Sequence, residues 1–466
     1  MSSPDPREQR LADRDHTIAE LRRENAWLRG RLAEALAKLG KNSTNSHQPP
    51  SSDKPGVVRG KRKSKGKTRG GQPGHEPKTR ELIDPRLCRK VVSHLPHQCG
   101  CGSTRFGPFC LRSRHQVIYL PELKAPVDEH QSYGAECLDC GHDVVEPIPP
   151  EYLASAFGPC VTALVADLSG EFRVPKRSVQ TMLQSFFGID ISLGAIIDQE
   201  QDMATALGQP YAEAHEELKQ GDRANADETS WRQDHQKAWL WVAVGQLVTV
   251  FLIHRQRSGA AARELLGAEF DGVLGTDRWV SYETVDALLR QLCWAHLIRD
   301  FLGWTLLEGD GGRIGRSLLR QSRKMFRWWS QVKDGTLTRR AFQRRMKPVQ
   351  QRIISLLRKA SVCPQAKVAG MAWEILGLEY GLFTFVEHEG VEPTNNQAER
   401  ALRHAVVWRK ICGGTASERG SRFVERILTT VATLKQQGRD VRDFLTQAIR
   451  ALRFGLPPPS LLPAHH

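Results

Sequence analysis

Two stretches decide the fold class: Ala224-Asn-Ala-Asp-Glu-Thr-Ser-Trp231 and Gly272-Val-Leu-Gly-Thr-Asp277. The first is predicted as a strand around Asp227, and the second is an apolar run that ends at Asp277. The segments between them are predicted as strands at residues 238–244 and 247–254 and a helix at residues 259–267. Three strands, a helix and a fourth strand predict a mixed α/β sheet in which the first and fourth strands are neighbours.

This order is the opening of an RNase H-like fold, and it gives two acidic residues a special place. Asp227 lies in the first strand and Asp277 at the end of the fourth, so the two carboxylates are expected side by side. Phosphodiester chemistry uses two hard cations roughly 4 Å apart, and such cations prefer carboxylate ligands. Asp227 and Asp277 are therefore candidate ligands of Mg²⁺ or Mn²⁺.

A third carboxylate is expected from a later helix, and Glu399 is the candidate. Thr394, Asn395 and Asn396 are suitable N-terminal caps for a helix that begins just before it. Any one Asp or Glu is more often a solvated surface charge. The prediction of a catalytic triad therefore rests on the three residues together.

Between Asp277 and Glu399, residues 316–332 and 339–360 have helical periodicity and many Arg and Lys. They predict a helical insertion, at about 300–390, that either holds DNA or packs as a bundle. The insertion is preceded by Cys293-Trp-Ala-His296, whose Cys and His are candidate metal ligands or core residues; a structural or DNA-positioning role is favoured.

The helix of Glu399 continues with basic residues. Arg403, four residues on, shares a face with Glu399, whereas Arg400 does not. Both are candidate DNA-binding residues because cations near the triad would neutralise a phosphate. Gly413-Gly414-Thr415 weakly resembles a phosphate-binding turn.

The N-terminal segment has a heptad pattern typical of a coiled coil. Leu11, Ile18, Leu32 and Leu39 share one heptad position with Asn25, and Leu21, Leu28 and Ala35 share the other. A parallel dimerising helix is predicted, and an amphipathic helix packed on its own chain is the alternative.

A basic segment follows the helix. Lys54 to Arg80 contains ten basic residues and one acidic residue, in a chain with 67 Lys and Arg, 52 Asp and Glu and a net charge of +15. Lys61, Arg62 and Lys63 are candidate DNA-binding residues because polyanions are the natural partners of such a segment. The alternative is a solvated linker.

Two close cysteine pairs predict a structural Zn²⁺ site: Cys99 with Cys101, and Cys137 with Cys140. The first pair is one residue shorter than the usual spacing. Buried free thiols are the alternative, and Cys88, Cys110 or His142 could replace a ligand.

Next, residues 161–199 predict two helices with a tight connection, as in a helix-turn-helix. Arg173, Lys176 and Arg177 stand at the start of the second helix, where they could bind phosphates or base edges. Plain helix packing is equally compatible with this pattern.

Five motifs, taken in order, resemble the insertion sequence 66 family of transposases. They are Leu39-Gly-Lys-Asn-Ser-Thr-Asn-Ser, Gly70-Gly-Gln-Pro-Gly-His75, Ala226-Asp-Glu-Thr229, Cys293-Trp-Ala-His296 and Asn395-Asn-Gln-Ala-Glu-Arg400. The resemblance implies an Asp-Asp-Glu transposase with catalytic roles for Asp227, Asp277 and Glu399. It also implies the zinc-binding segment, whose first cysteine pair departs from the family spacing.

The prediction is therefore a transposase that cleaves transposon-end DNA and joins it to target DNA. The predicted parts are a coiled-coil helix (1–40), a basic flexible linker (41–85), a zinc-binding segment (86–150), a helix-turn-helix-like domain (151–215), the catalytic domain (216–450) and a disordered tail (451–466). A homo-oligomer and small accessory proteins of the same element are expected partners. No stretch approaches the roughly 20 apolar residues of a membrane span, and a cytoplasmic protein is expected. The alternatives are a catalytically dead DNA-binding regulator and another RNase H-like resolvase or integrase.

Overall fold

The computed structural model describes residues 16–25, 27–29, 32 and 80–463. Residues 80–125 belong to one compact unit and residues 126–463 to another. Among the described residues, no helix is both long and apolar enough to cross a bilayer. Lys61, Arg62 and Lys63 lie outside the described residues, as does most of the predicted coiled coil.

The described part of the N-terminal helix consists of residues 16–25 (α1) and 27–29. Its apolar residues Ile18, Leu21, Leu28 and Leu32 are exposed. The dimeric coiled coil and the amphipathic helix packed on its own chain both stay predictions.

The unit of residues 80–125 contains one 3₁₀ helix, Pro85–Leu87, and no strand among its described residues. Its chain is held instead by side chains that bind the backbone. The amide of Gln116 accepts from the N–H of Ile83 at 3.0 Å and donates to the carbonyl of Ile83 at 2.8 Å. Residues 115–120 form no strand with any other described segment.

A five-stranded mixed sheet forms the centre of the other unit. A separate hairpin joins β1 (Gly134–Glu136) and β2 (Asp143–Val145). The strands of the main sheet are β3 (Arg223–Gln233), β4 (Gln236–Val244), β5 (Thr249–His254), β6 (Val273–Thr276) and β7 (Arg290–Leu292). Their order is β5-β4-β3-β6-β7; β3, β4 and β5 are antiparallel, whereas β6 is parallel to both β3 and β7. The prediction of a mixed α/β sheet is confirmed. The first and fourth strands of this region, β3 and β6, are neighbours as predicted.

Helices surround this sheet and form a second body beside it. Those before the sheet are α2 (Pro150–Leu153), α3 (Pro159–Gly170), α4 (Lys176–Phe187), α5 (Leu193–Ala206) and α6 (Gly208–Lys219). The later ones are α7 (Gly259–Leu266), α8 (Trp294–Trp304), α9 (Gly309–Lys333), α10 (Arg339–Ser361), α11 (Ala366–Gly377), α12 (Thr384–Glu387), α13 (Asn396–Cys412), α14 (Glu418–Gln437) and α15 (Val441–Phe454).

Helix α14 covers the edge strand β5 with a polar face. Every second N–H of β5 would otherwise lack a partner, which is costly in a buried position. The N–H groups of Thr249, Phe251 and Ile253 donate to the side chains of Thr433, Thr429 and Glu425 at 3.0, 2.9 and 2.6 Å. Because the three acceptors are spaced four residues apart, they share one face of the helix and follow the strand.

Two large apolar cores result. The first joins the sheet to α13, α14 and α15, and it includes Ala163 of α3 and Met203 of α5. The predicted helix-turn-helix segment therefore packs on the C-terminal helices. The second core lies among α8 to α12 and contains Trp329, Phe342 and Phe385. The predicted insertion thus packs as a bundle through its apolar faces.

The C-terminal segment corrects one prediction. Residues 451–466 were expected to be disordered, but α15 extends to Phe454 and Leu461 is fully buried. The carboxylate of Glu213 accepts from the N–H of Leu461 at 3.0 Å, and Gln437 donates to its carbonyl at 2.8 Å. Prolines there prevent a helix, but they do not prevent an extended chain from packing.

Candidate active site

Strand pairing places Asp227 beside Asp277. Strand β3 pairs in parallel with β6, and Asn225 lies opposite Gly275. Each Asp is two residues beyond this pair, so the two side chains stand at equivalent positions on the same face, with backbones about 4.8 Å apart. Both residues are half-buried. This is the arrangement that the strand pattern predicts.

Neighbouring backbone and side chains hold the end of β6 in place. The Asp277 side chain accepts from the N–H of Trp279 at 2.8 Å. The backbone carbonyl of Asp277 accepts a hydrogen bond from the buried guanidinium of Arg290 at 3.3 Å. The loop that carries Asp277 is therefore anchored on both sides, which limits the freedom of the carboxylate.

Glu399 comes from the first turn of α13, and a buried amide connects that turn to β3. The Asn395 side chain donates to the carbonyl of Ala226 at 2.7 Å and accepts from the Asn225 side chain at 3.0 Å. Asn395 precedes α13 as predicted, but its side chain makes no capping hydrogen bond. Its amide is bound to β3 instead, beside Asp227.

Basic side chains lie beside Glu399. Its Oε1 atom is 3.7 Å from Nδ1 of His296 and 3.8 Å from a guanidinium nitrogen of Arg299, both on α8. Among the described residues, Cys293, His296 and Glu399 offer ligand atoms that all lie within 4.8 Å of one another. The sequence does not connect His296 with Glu399, because the two motifs lie far apart along the chain and only packing brings them together.

The electrostatics of the three acids favour a nearby cation. Burial raises the pKa of Asp227 well above its usual range, and the negative charges of Glu228 and Asp277 raise it further. Burial also raises the pKa of Glu399, against the lowering effect of Arg299 and Arg403. Close, partly desolvated carboxylates repel one another unless a proton or a metal ion compensates their charge.

Glu228 points to the opposite face of β3 and was not anticipated as a site residue. Its carboxylate pairs with Arg257 and accepts a hydrogen bond from the buried hydroxyl of Tyr282. Arg257 in turn lies 3.7 Å from the ring centre of Trp279. Burial raises the pKa of Glu228. Two adjacent acids within one strand, whose side chains must point to opposite faces, were the signal that could have revealed a second polar cluster.

The basic residues of α13 and the loop after it have different environments. Arg400 and Arg403 are exposed. Arg403 lowers the pKa of Glu399, in keeping with the shared face predicted for them. Gly413-Gly414-Thr415 is used for backbone pairing: the N–H of Thr415 donates to Arg232 at 2.9 Å. This loop therefore completes the edge of β3.

Two of the three basic residues at the start of α4 have partners within the chain. Arg173 contacts Nδ1 of His404 at 2.7 Å, and Lys176 pairs with the buried carboxylate of Glu200. Arg177 is exposed. Of this predicted DNA-binding group, Arg177 is therefore the residue most accessible to a phosphate.

The two cysteine pairs have local geometry suited to thiolates. Backbone N–H groups of Asp139 and Cys140 lower the pKa of Cys137, and the backbone and thiol of Cys101 lower the pKa of Cys99. Cys137 and Cys140 lie in the turn of the β1–β2 hairpin. The two pairs belong to different units, and the four-ligand Zn²⁺ site stays a prediction.

A basic face runs along the hairpin of α9 and α10. The exposed cations are Arg313, Arg316, Arg320, Arg323, Lys324 and Arg327 on α9, with Arg340, Arg344, Arg345, Lys347, Arg352, Arg358 and Lys359 on α10. We call this set the basic hairpin face. Trp328 connects its two helices, since Lys324 and Arg345 lie 4.8 and 5.9 Å from its ring centre. Helix α10 contains no acidic residue.

Comparison with known proteins identifies two matching families. A model described as "Transposase IS66 family" matches residues 154–422, and a model of a family of unknown function matches residues 1–81. The chain is also similar to an uncharacterized protein of Sinorhizobium fredii, y4qI, with 26% identity over 274 residues, or 52% of this chain and 50% of that protein. The chain thus spans about half the length of the curated relative it matches.

Proposed function

This chain belongs to the IS66 family of transposases, and we propose that it cleaves the DNA ends of an insertion sequence and transfers them to target DNA. The observation that carries the proposal is the register of β3 and β6, which puts Asp227 beside Asp277. Glu399 of α13 is near enough for its charge to raise the pKa of Asp227, and the charge of Asp277 raises the pKa of Glu399. The strand order β5-β4-β3-β6-β7, with three antiparallel and two parallel neighbours, supports an RNase H-like core.

The residues fit Mg²⁺ or Mn²⁺. Three carboxylates form the donor set, and hard divalent cations prefer oxygen ligands. Burial and mutual repulsion raise the pKa of Asp227, so a bound cation would relieve a cost that the folded protein otherwise carries. Asp227, Asp277 and Glu399 would hold the ions. Two bound ions would acidify the attacking water and stabilise the leaving oxygen.

The chain's own residues would position the reaction. Asp227 and Asp277 are fixed by the sheet, and Asn395 holds the first turn of α13 against β3. Arg403 would bind the phosphate that flanks the cleaved bond. In hydrolysis, water would attack the phosphorus at the transposon end, the bond between phosphorus and the 3′ oxygen would break, and a 3′ hydroxyl would be left. In transfer, this hydroxyl would attack a phosphorus of the target, a new P–O bond would form, and the target's own 3′ oxygen would leave. No protein nucleophile takes part in either step.

DNA is the proposed partner, and the basic hairpin face is its proposed binding surface within the insertion. Exposed cations at helical spacing on α9, and a helix α10 without any acidic residue, suit a row of phosphates. Arg177, Arg400 and the basic segment with Lys61, Arg62 and Lys63 would add contacts. The insertion would then both pack as a bundle and bind DNA through its outer surface.

Assembly and metal binding by the N-terminal parts are also proposals. The exposed Ile18, Leu21 and Leu28 support a homo-oligomer formed through α1. Cys99, Cys101, Cys137 and Cys140 would bind a structural Zn²⁺. We expect the protein to act in the cytoplasm, where small accessory proteins of the same element could assist it.

The test uses DNA that carries the inverted repeats flanking the gene. Purified full-length protein is expected to nick this duplex in Mg²⁺, whereas Asp227→Asn, Asp277→Asn and Glu399→Gln reduce the rate at least about a hundredfold, because even indirect supports of a metal site are worth about 10- to 100-fold. Asp234→Asn is the matched control: Asp234 is exposed at the end of the same strand, and Asn tolerates its positive φ of 52°.

The same assay separates the alternatives. Binding of the repeats without cleavage by the unaltered protein would indicate a catalytically dead regulator. Cleavage of branched DNA in preference to the repeats would indicate a resolvase. Equal cleavage by the unaltered protein and the triad variants would refute the proposed active site.

A further inference from the structure

A group of soft and hard metal ligands lies beside the proposed active site. Cys293 directly precedes α8, and His296 lies in its first turn. Their ligand atoms and that of Glu399 are all within 4.8 Å of one another. Cys293 is only 2% exposed, and the side chains of His296 and Glu399 are 18% and 27% exposed. The group is thus partly enclosed but open on the side of Glu399.

The chemistry of this group differs from that of the three acids. A thiolate and an imidazole are preferred ligands of Zn²⁺ and similar transition metals, whereas Mg²⁺ takes oxygen ligands. Sγ of Cys293 accepts a hydrogen bond from the N–H of Asn395 at 3.2 Å, and such a donor stabilises a sulfur that carries negative charge. Three protein ligands with one open position form a common zinc arrangement.

Glu399 has a carboxylate oxygen available to such an ion. Its buried Oε1 accepts no hydrogen bond from the described residues, and the His296 imidazole and the Arg299 guanidinium lie 3.7 and 3.8 Å away. Arg299 is 29% exposed and can turn toward solvent when a metal ion takes its place. The same carboxylate is the third member of the proposed triad.

We propose that Cys293, His296 and Glu399 form a Zn²⁺ site that competes with the catalytic metal ions for Glu399 and thereby inhibits DNA cleavage. The inhibition rests on the proposed role of Glu399, whereas zinc binding itself does not. A bound Zn²⁺ would draw Oε1 toward α8 and away from Asp227 and Asp277.

Metal binding is tested first, with Co²⁺ as a spectroscopic substitute for Zn²⁺. The unaltered full-length protein is expected to bind one more equivalent of Co²⁺ than Cys293→Ser, His296→Gln or Glu399→Gln. This additional ion should show thiolate-to-cobalt charge-transfer absorption. The control Cys363→Ser changes a half-buried thiol of the insertion outside this group and should match the unaltered protein. Because three separate variants are compared, misfolding of one does not decide the result. Equal stoichiometry in the unaltered protein and all folded variants would overturn the site.

Inhibition is tested second, by titrating Zn²⁺ into the cleavage reaction at constant Mg²⁺. Each protein is compared with its own rate without Zn²⁺. The concentration for half inhibition should rise at least about tenfold in Cys293→Ser and His296→Gln, the size of effect that loss of a metal-site contact produces, and stay unchanged in Cys363→Ser. Equal inhibition of all proteins would refute competition at this site. Absence of cleavage without Zn²⁺ would count against the proposed function, not against the binding result.

Discussion

At the scale of single residues, Asn395 determines how the acids meet. It is 1% exposed, and its side chain bonds to two successive residues of β3. Its N–H donates to Cys293, so the same residue also contacts the start of α8. Asp227 is the residue after Ala226 on β3, and Glu399 lies four residues after Asn395, in the first turn of α13. Asn395 is therefore a positioning residue for the proposed site.

Asn395→Ala should slow DNA cleavage by up to about a hundredfold, since a misplacement of roughly 1 Å can have that effect. The Mg²⁺ concentration for half-maximal activity should rise, while DNA affinity stays the same. Cleavage rates across a Mg²⁺ series and a separate binding assay measure the two quantities. Asn396→Ala, at the exposed neighbouring position, is the control. An unchanged Mg²⁺ requirement in a folded Asn395→Ala protein would contradict the positioning role.

Asp227→Asn should raise the melting temperature of the metal-free protein at pH 8. Burial and the neighbouring acids raise the pKa of Asp227 above its value in the unfolded chain, about 3.9. The contribution of Asp227 to the free energy of unfolding is therefore fully present below the unfolded-state pKa. It is lost as the pH rises through the higher folded-state pKa. Because Asn carries no charge, the variant does not lose stability at pH 8, but it also lacks the carboxylate that would bind the metal ion. Thermal unfolding in EDTA and in Mn²⁺ should show a smaller metal-induced shift for the variant; a variant less stable than the unaltered protein in EDTA would refute the argument.

At the scale of elements, α14 satisfies the edge strand of the sheet. Thr429 accepts from the N–H of Phe251 at 2.9 Å, so its hydroxyl replaces the partner that a sixth strand would supply. The adjacent Thr430 is equally buried, but its hydroxyl has no hydrogen-bond partner among the described residues. Two neighbouring residues of the same type and burial thus differ in one hydrogen bond.

Thr429→Val should lower the free energy of unfolding by about 1–3 kcal/mol, because a buried N–H loses its acceptor. Thr430→Val should leave the free energy of unfolding unchanged or raise it slightly, because a methyl group of similar size replaces a hydroxyl that has no hydrogen-bond partner among the described residues. Urea unfolding of both variants measures the difference. Equal destabilisation would show that the hydroxyl of Thr429 does not support β5.

At the scale of the whole molecule, positive charge is concentrated on the insertion rather than on the sheet. The insertion buries Trp329, Phe342 and Phe385 and leaves the basic hairpin face exposed. Apolar packing and DNA binding therefore use different sides of the same helices. A polyanion would neutralise cations that otherwise repel one another.

Arg323→Gln with Arg327→Gln should weaken DNA binding without changing stability. Each lost phosphate contact reduces the slope of log affinity against log salt by about 0.9, so the double variant should lose about 2. Affinity measured over a salt series tests this. The control pair, Arg442→Gln with Arg450→Gln, removes two exposed cations from α15. The same slope in the unaltered protein and the hairpin variant would rule out this face as a binding surface.

Local sequence pattern predicts several features of the fold. A predicted strand at residues 224–231 corresponds to β3 with Asp227, and an apolar run predicts β6 just before Asp277. Helical periodicity predicts α9 and α10, and a motif indicates Glu399. These are properties of a few consecutive residues, because side-chain direction repeats every 2 residues in a strand and every 3.6 in a helix.

Contacts between residues that are distant in the sequence follow from the tertiary packing. Asn395 reaches Ala226, His296 reaches Glu399, and α14 reaches β5 across large sequence separations. Distant contacts also give Arg173 and Lys176 their partners and bury Leu461. Such contacts depend on how whole elements pack, and one sequence allows a polar side chain many partners. Packing selects the partner, since a buried polar group must be satisfied by whatever the fold brings next to it.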